Sequence, residues 1–191
     1  RRRGGFCYEL NGLFASLLRS LGFKVTMLSA EVANNEGDFG EPFDHMTLMV
    51  TLEERWLADV GFGDSFREPL RLDARELQIQ GDDAFKIEET EPHLVMSRRR
   101  EDGDWQPQYR FTLERYGFAD FDEMCRYHQT SPQSHFTQKR ICSRATFDGR
   151  VSLSEMRLIT TRGRVREEFE LLSEPQYADA LREKFGITIE I

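Results

Sequence analysis

The sequence predicts an α+β fold, and three observations lead there. An amphipathic helical stretch opens the chain, an alternating pattern over 44–60 reads as a β-hairpin, and a later strand meander is followed by a capped helix. A chain of 191 residues can bury one sizeable core, or two small lobes around a cleft.

Residues 8–21 place Leu10, Leu13, Phe14, Leu17, Leu18 and Leu21 on one helical face, with Gly22 as a natural stop. From Lys24 the period changes. Val25, Met27 and the segment to Val32 read as a strand, and 34–40 as an exposed loop. In the hairpin, Met46, Leu48 and Val50 alternate on one strand and Trp56, Ala58 and Val60 on the other. Residues 64–115 mix short strand-like pieces with charged turns at 81–83 and 102–104, a pattern that suits a small antiparallel barrel or sheet. A short helix is expected over 116–128, then strands near 139–147, 150–159 and 164–172, with turns at Asp148-Gly149 and Arg162-Gly163. Ser173 caps the last helix, with Gln176 three places on, and that helix ends before Gly186. The final ITIEI is expected to close as a strand.

Composition narrows the function. The net charge of −8 argues against nucleic acid as a partner. The basic clusters Arg1–Arg3 and Arg98–Arg100 have a solvated face as their default reading and a specific anion site as the alternative. Three cysteines make a disulfide framework improbable and point to a reducing cytoplasmic setting. No run approaches the ~20 apolar residues of a bilayer span, so no membrane partner is expected.

The chemistry centres on Cys7. It sits at the start of the first helix, where the helix's partial positive charge and unpaired N–H groups favour thiolate, and Gly4-Gly5 permits close backbone approach. Alone, a cysteine near a helix start is more often a small buried hydrophobe. The hairpin adds to the case. A turn at 51–53 puts Val50 opposite Glu54, Leu48 opposite Trp56 and Met46 opposite Ala58 on the apolar face. His45 then lies directly across from Asp59, with Cβ atoms ~5 Å apart. A carboxylate beside an imidazole fixes its tautomer and supports its charged form, as a catalytic triad requires. A slip of one residue would put the two on opposite faces.

Four segments carry a resemblance. RGGFCYELN at 3–11 resembles the nucleophile motif of the arylamine N-acetyltransferases, FDHMTLMV at 43–50 their histidine strand, and WLADVGFG at 56–63 their aspartate strand and following loop. SPQSHF within 130–136 is similar to their SPxSxF segment, and the order and spacing of all four agree. The resemblance implies ping-pong acetyl transfer: Cys7 is the nucleophile, His45 activates it and Asp59 orients His45. Acetyl-CoA is the donor, an aromatic amine or hydrazine the acceptor, and no metal is needed. The backbone N–H of Cys7 would serve as an oxyanion donor. Phe62 would line the acceptor pocket, and Gly63, Ser134 and Phe136 would border CoA. Asp64 places a carboxylate at the substrate entrance. The implied fold is three-part: a truncated helical lobe over 1–23, a small antiparallel β-barrel domain over 24–115 and an α/β lid over 116–191, around a cysteine-protease-like Cys-His-Asp core.

Other readings stay open. A related amide synthase or other acyl-CoA transferase shares this chemistry, as do papain-like and transglutaminase-like enzymes. Cys125, His128, His135 and Cys142 form a zinc-like set whose separations are loose for a structural site. A non-catalytic fragment is the third reading, because family members begin several helices before the cysteine motif. On that basis further helices are expected before Arg1, and the face carrying Leu10, Phe14, Leu17 and Leu21 is expected to stand uncovered without them. The sequence leaves the oligomeric state open.

Overall fold

The computed structural model describes residues 3–100 and 103–189. Arg1 and Arg2 of the first basic cluster lie outside the described residues. The chain divides into two compact units: Phe6–Met124, and the described part of what remains. No described helix is long and apolar enough to cross a membrane.

The first unit opens with helix α1 (Cys7–Ser20). Glu9 reaches back to accept from the Phe6 N–H at 3.1 Å, satisfying one of the donors that every helix start leaves open. The chain leaves the helix through Gly22, whose φ of +92° is cheap only for glycine. The buried side of α1 is Tyr8, Asn11, Gly12 and Ala15. Small residues there allow close packing, and a Cβ on Gly12 would sit 2.5 Å from the Phe118 ring. The leucine face points away from this packing. Leu13, Leu17 and Leu21 are 73%, 52% and 65% exposed, as expected for that face.

Eight antiparallel strands follow: β1 (Lys24–Val32), β2 (His45–Thr51), β3 (Arg55–Ala58), β4 (Leu70–Arg71), β5 (Gln78–Gln80), β6 (Asp83–Thr90), β7 (His93–Arg100) and β8 (Gln106–Phe111). Their order is β4-β3-β2-β1-β8-β7-β6-β5, so the shortest strands form the two edges. Side-chain amides bridge those edges. Gln78 accepts from the Arg71 N–H and donates to the Arg71 carbonyl, while Gln80 accepts from Arg67 and Glu68 N–H and donates to the Glu68 carbonyl. Two glutamines thus do the work of an eighth ladder, giving the barrel-like closure that blunts exposed edges. The apolar core holds Leu28, Ala30, Leu57, Leu70, Phe85, Met96, Tyr109 and Phe111 among others.

The β2–β3 register differs from the expected one. Leu48 pairs with Ala58 and Val50 with Trp56, a slip of two residues, because the loop is 52–54 rather than 51–53. Asp59 therefore lies just past the end of β3 instead of directly opposite His45. A slip of two preserves the side-chain faces, so both residues remain on the same side. That side is set by β1: Ala30, a core residue, pairs with His45.

A 3₁₀ turn (Phe118–Phe121) leads into α2 (Asp122–Thr130), where a single short helix was expected. The second unit also holds α3 (His135–Gln138), the antiparallel strands β9 (Ile141–Thr146), β10 (Gly149–Ser154), β11 (Arg157–Arg162) and β12 (Val165–Glu170), and α4 (Glu174–Ala180). Four strands replace the expected three. The extra turn is Ser154–Arg157, where Glu155 adopts a φ of +50° without a glycine or asparagine to signal it. Ser173 caps α4, accepting from the Gln176 N–H at 3.5 Å, and Gly186 ends the helical stretch with a φ of +69°. Leu153, Tyr177, Ala180 and Leu181 form this unit's core. Ile187, Thr188 and Ile189 are not in a strand, contrary to expectation, and the last two residues lie outside the described ones.

Candidate active site

Cys7 is the first residue of α1 and is half-buried. His45 opens β2 and is 3% exposed. The residue two before it, Phe43, holds a φ of +67°, a conformation costly for a bulky side chain. Its surroundings impose it. Its N–H donates to the Ser29 hydroxyl at 2.7 Å, its carbonyl accepts from the Tyr8 hydroxyl at 2.8 Å, and its ring packs edge-on against Tyr116 and Phe121. This bend delivers His45 to the barrel interior.

There His45 Nε2 meets Asp59 Oδ2 at 2.6 Å. Cys7 is near enough for its sulfur to act electrostatically on the same imidazole, and with Nε2 engaged by Asp59 the other ring nitrogen is the one that could face it. Burial works to lower the His45 pKa, but the nearby Asp59 and Cys7 and the hydrogen bond to Asp59 raise it from 6.5 to about 10. Burial likewise works to raise Asp59, but the His45 charge and donated hydrogen bonds hold it below its ordinary value. Both shifts favour the charged forms of the pair, in which Nε2–H donates to the carboxylate.

Asp59 is held by more than His45. Its Oδ1 accepts from Asn11 Nδ2 at 2.9 Å, from the Gly61 N–H at 2.9 Å and from the Phe62 N–H at 3.1 Å. Its Oδ2 also accepts from the Tyr109 hydroxyl at 3.3 Å. Asn11 is fixed in turn, donating to the Met46 carbonyl at 2.6 Å and accepting from the Val60 N–H at 2.9 Å. Burial and the nearby Asp59 charge keep the Tyr109 phenol protonated, well above its ordinary pKa.

The loop after Asp59 passes directly over the cysteine. A Cβ on Gly61 would lie 2.6 Å from Cys7 Cα and 2.9 Å from Cys7 Cβ, so only glycine allows this approach. Phe62 then packs edge-on to His45, with ring centroids 5.2 Å apart, and against Tyr109 at 5.1 Å. Gly63 turns the chain with a φ of +93°. Asp64 does not stand free at an entrance: its carboxylate pairs with Arg100 and lies 3.5 Å from Arg98.

Cys7, His45, Asp59, Phe62 and Gly63 thus come together within Phe6–Met124. Ser134 and Phe136 belong to the other unit. Ser134 is buried, its hydroxyl 3.1 Å from His128 Nδ1 and accepting from the Phe136 N–H, and the Phe136 ring is half exposed against His128. Among the described residues, Cys125, His128, His135 and Cys142 do not gather into a metal-holding group. Sequence reasoning missed Asn11 and Tyr109. Asn11 had a usable signal, since it follows Cys7 by one helical turn. Tyr109 had none, being brought in by sheet order from fifty positions beyond Asp59.

An arrangement of cysteine sulfur, imidazole and buried carboxylate can transfer an acyl group through the sulfur. Known proteins resemble this chain over most of its length. The chain is 34% identical to an arylamine N-acetyltransferase of Mycolicibacterium smegmatis, over 99% of this chain and 70% of that one. It is also 34% identical to the proansamycin X synthase of Amycolatopsis mediterranei, over 83% of this chain and 62% of that protein. The structure superposes with a TM-score of 0.89 on Mycobacterium marinum arylamine N-acetyltransferase in complex with CoA, at 29% identity, covering 98% of this chain and 71% of that one. The sequence profile of the N-acetyltransferase family matches residues 1–191, and the chain belongs to that family.

Proposed function

We propose that this chain acetylates aromatic amines or hydrazines from acetyl-CoA by a ping-pong reaction through acetyl-Cys7. The observation that carries the reading is the buried 2.6 Å contact of His45 with Asp59, set beside the half-buried Cys7 under the Gly61 loop. Cys7 sulfur attacks the thioester carbonyl, the carbon–sulfur bond to CoA breaks, and the departing thiolate takes its proton from His45. The acceptor nitrogen then attacks acetyl-Cys7, gives its proton to His45, and restores the Cys7 thiolate. The Cys7 N–H, at a helix start, is the candidate donor to the oxyanion in both steps. Phe62, held against His45, is the candidate wall for the acceptor ring. Gly63, Ser134 and Phe136 are the candidate CoA contacts, and the family's three-part division at 23 and 115 belongs to the same proposal. Three cysteines, an odd number, suit a reducing compartment, which supports a cytoplasmic setting.

The similarity to proansamycin X synthase favours a second reading, in which the same relay forms an amide on a larger acyl donor. Stopped-flow release of CoA from acetyl-CoA separates the two. A burst of CoA without any amine, followed by N-acetylation when aniline or phenylhydrazine is added, supports acetyl transfer. No burst with acetyl-CoA, but turnover of a longer acyl thioester, supports the amide synthase.

A further inference from the structure

The basic cluster at 98–100 was read as a solvated face, and Arg98 contradicts that reading. Its side chain, on β7, is 10% exposed and its guanidinium lies 5.8 Å from the Phe85 ring centre. Nη2 donates to Asp83 Oδ2 on β6 at 2.5 Å, while Nη1 donates to the backbone carbonyl of Asp64 at 2.9 Å. Arg98 therefore joins the barrel wall to the loop that carries Phe62.

That loop has other anchors besides the pairing of the Asp64 carboxylate with Arg100. Asp59 Oδ1 holds the Gly61 and Phe62 N–H groups at its start, and Phe66 is buried in the core at its end. Between them lie only 63–65, and this short span contains Gly63, the residue with freedom to pivot. Arg98 grips the span at Asp64. A buried cation costs free energy to place, and here it is offset by Asp83 and the Asp64 carboxylate. The group it fixes is a main-chain carbonyl one residue past the pivot, next to the aromatic ring that packs on His45.

We infer that Arg98 is a positioning residue for the acceptor pocket: by clamping the Asp64 carbonyl it keeps Phe62 set against His45, and so determines which aromatic acceptors fit. This rests on the acetyl-transfer reading above, with Phe62 as the acceptor wall. Arg98 touches neither the relay nor any of its hydrogen-bond partners. It acts on acceptor binding, and a CoA burst read at saturating acetyl-CoA separates that effect from any on the neighbouring Gly63 contact.

The test compares wild type, Arg98→Met and Arg98→Lys in the two half-reactions. CoA release from acetyl-CoA is measured without acceptor, and KM is measured for aniline and its para-butoxy derivative. Arg98→Met is expected to raise acceptor KM on the order of five- to tenfold, to narrow the difference between the two amines, and to leave the CoA burst within about twofold of wild type. Arg98→Lys, which keeps the buried charge but loses the forked contact, is expected to fall between them, and it carries the comparison if Arg98→Met does not fold. Amide exchange at 63–65 should quicken in both variants. Acceptor KM unchanged in both, or both half-reactions falling in parallel, overturns the inference. A wild-type chain that gives no CoA burst and acetylates neither amine overturns the acetyl-transfer reading instead.

Discussion

Asp59 collects more hydrogen bonds than any other carboxylate at the site, and each donor has a distinct task. The Gly61 and Phe62 N–H groups tie the carboxylate to its own loop, Asn11 ties it to α1, and Tyr109 ties it to β8. Asn11 was present in the motif that names Cys7, one helical turn along, and a helical reading of that motif reaches it. Tyr109 was illegible, because β8 pairs with β1 across a long stretch of intervening sequence. Tyr109→Phe keeps the ring packing on His45 and Phe62 and removes only the hydroxyl. It is expected to slow acetylation of Cys7 about three- to tenfold and to cost about 1 kcal/mol of stability, read by urea unfolding. Adding Thr47→Val, which removes the hydroxyl's other partner at 3.3 Å, should recover the stability but not the rate. Recovery of both would mean that the hydroxyl acts only through packing.

At the scale of elements, the site is a meeting of α1's first turn with the loop after β3. Sequence alternation placed His45 and Asp59 on one face correctly and their register wrongly. The turn could not be located within LEER, because neither a glycine nor a proline marks it. Parity survives a two-residue slip, which is why the chemistry was readable although the pairing was not. The turn at Glu155 escaped for a related reason: its left-handed residue is a glutamate. The contact that a pairing argument cannot supply is Gly61 over Cys7. Gly61→Ala forces a Cβ to within 2.6 Å of backbone, so α1 or the loop must move. The expected cost is ~1–3 kcal/mol in stability and roughly tenfold or more in Cys7 acetylation, since small misplacements of reacting groups are expensive. Gly117→Ala, whose Cβ would meet nothing closer than 3.6 Å, is the control expected to be near neutral. Equal behaviour of the two variants would contradict the close-approach argument.

At the scale of the molecule, a buried ion pair ties the barrel unit's stability to pH. His45 is raised from 6.5 to about 10, so its contribution is complete below 6.5 and is lost as pH climbs through about 10. Asp59 is lowered from 3.8, so its contribution is complete above 3.8 and is lost as pH falls below that value. Both contribute fully between these limits. Relative to the neutral double variant His45→Gln/Asp59→Asn, the wild-type advantage in thermal midpoint should be largest near pH 4–6.5 and shrink steadily toward pH 10. A difference that stays flat across the alkaline range would show that His45 is not held charged.

The central claim is that Cys7, and neither Cys125 nor Cys142, carries the acyl group. It is tested most directly by incubating the chain with acetyl-CoA and mapping the modification by peptide mass spectrometry under mildly acidic conditions that preserve thioesters. The account predicts one acetyl group on the peptide holding Cys7. That group is absent from Cys7→Ala, retained in Cys125→Ala and Cys142→Ala, and discharged when an aromatic amine is added. An unmodified Cys7, or an acetyl group on Cys125 or Cys142 in its place, would contradict it.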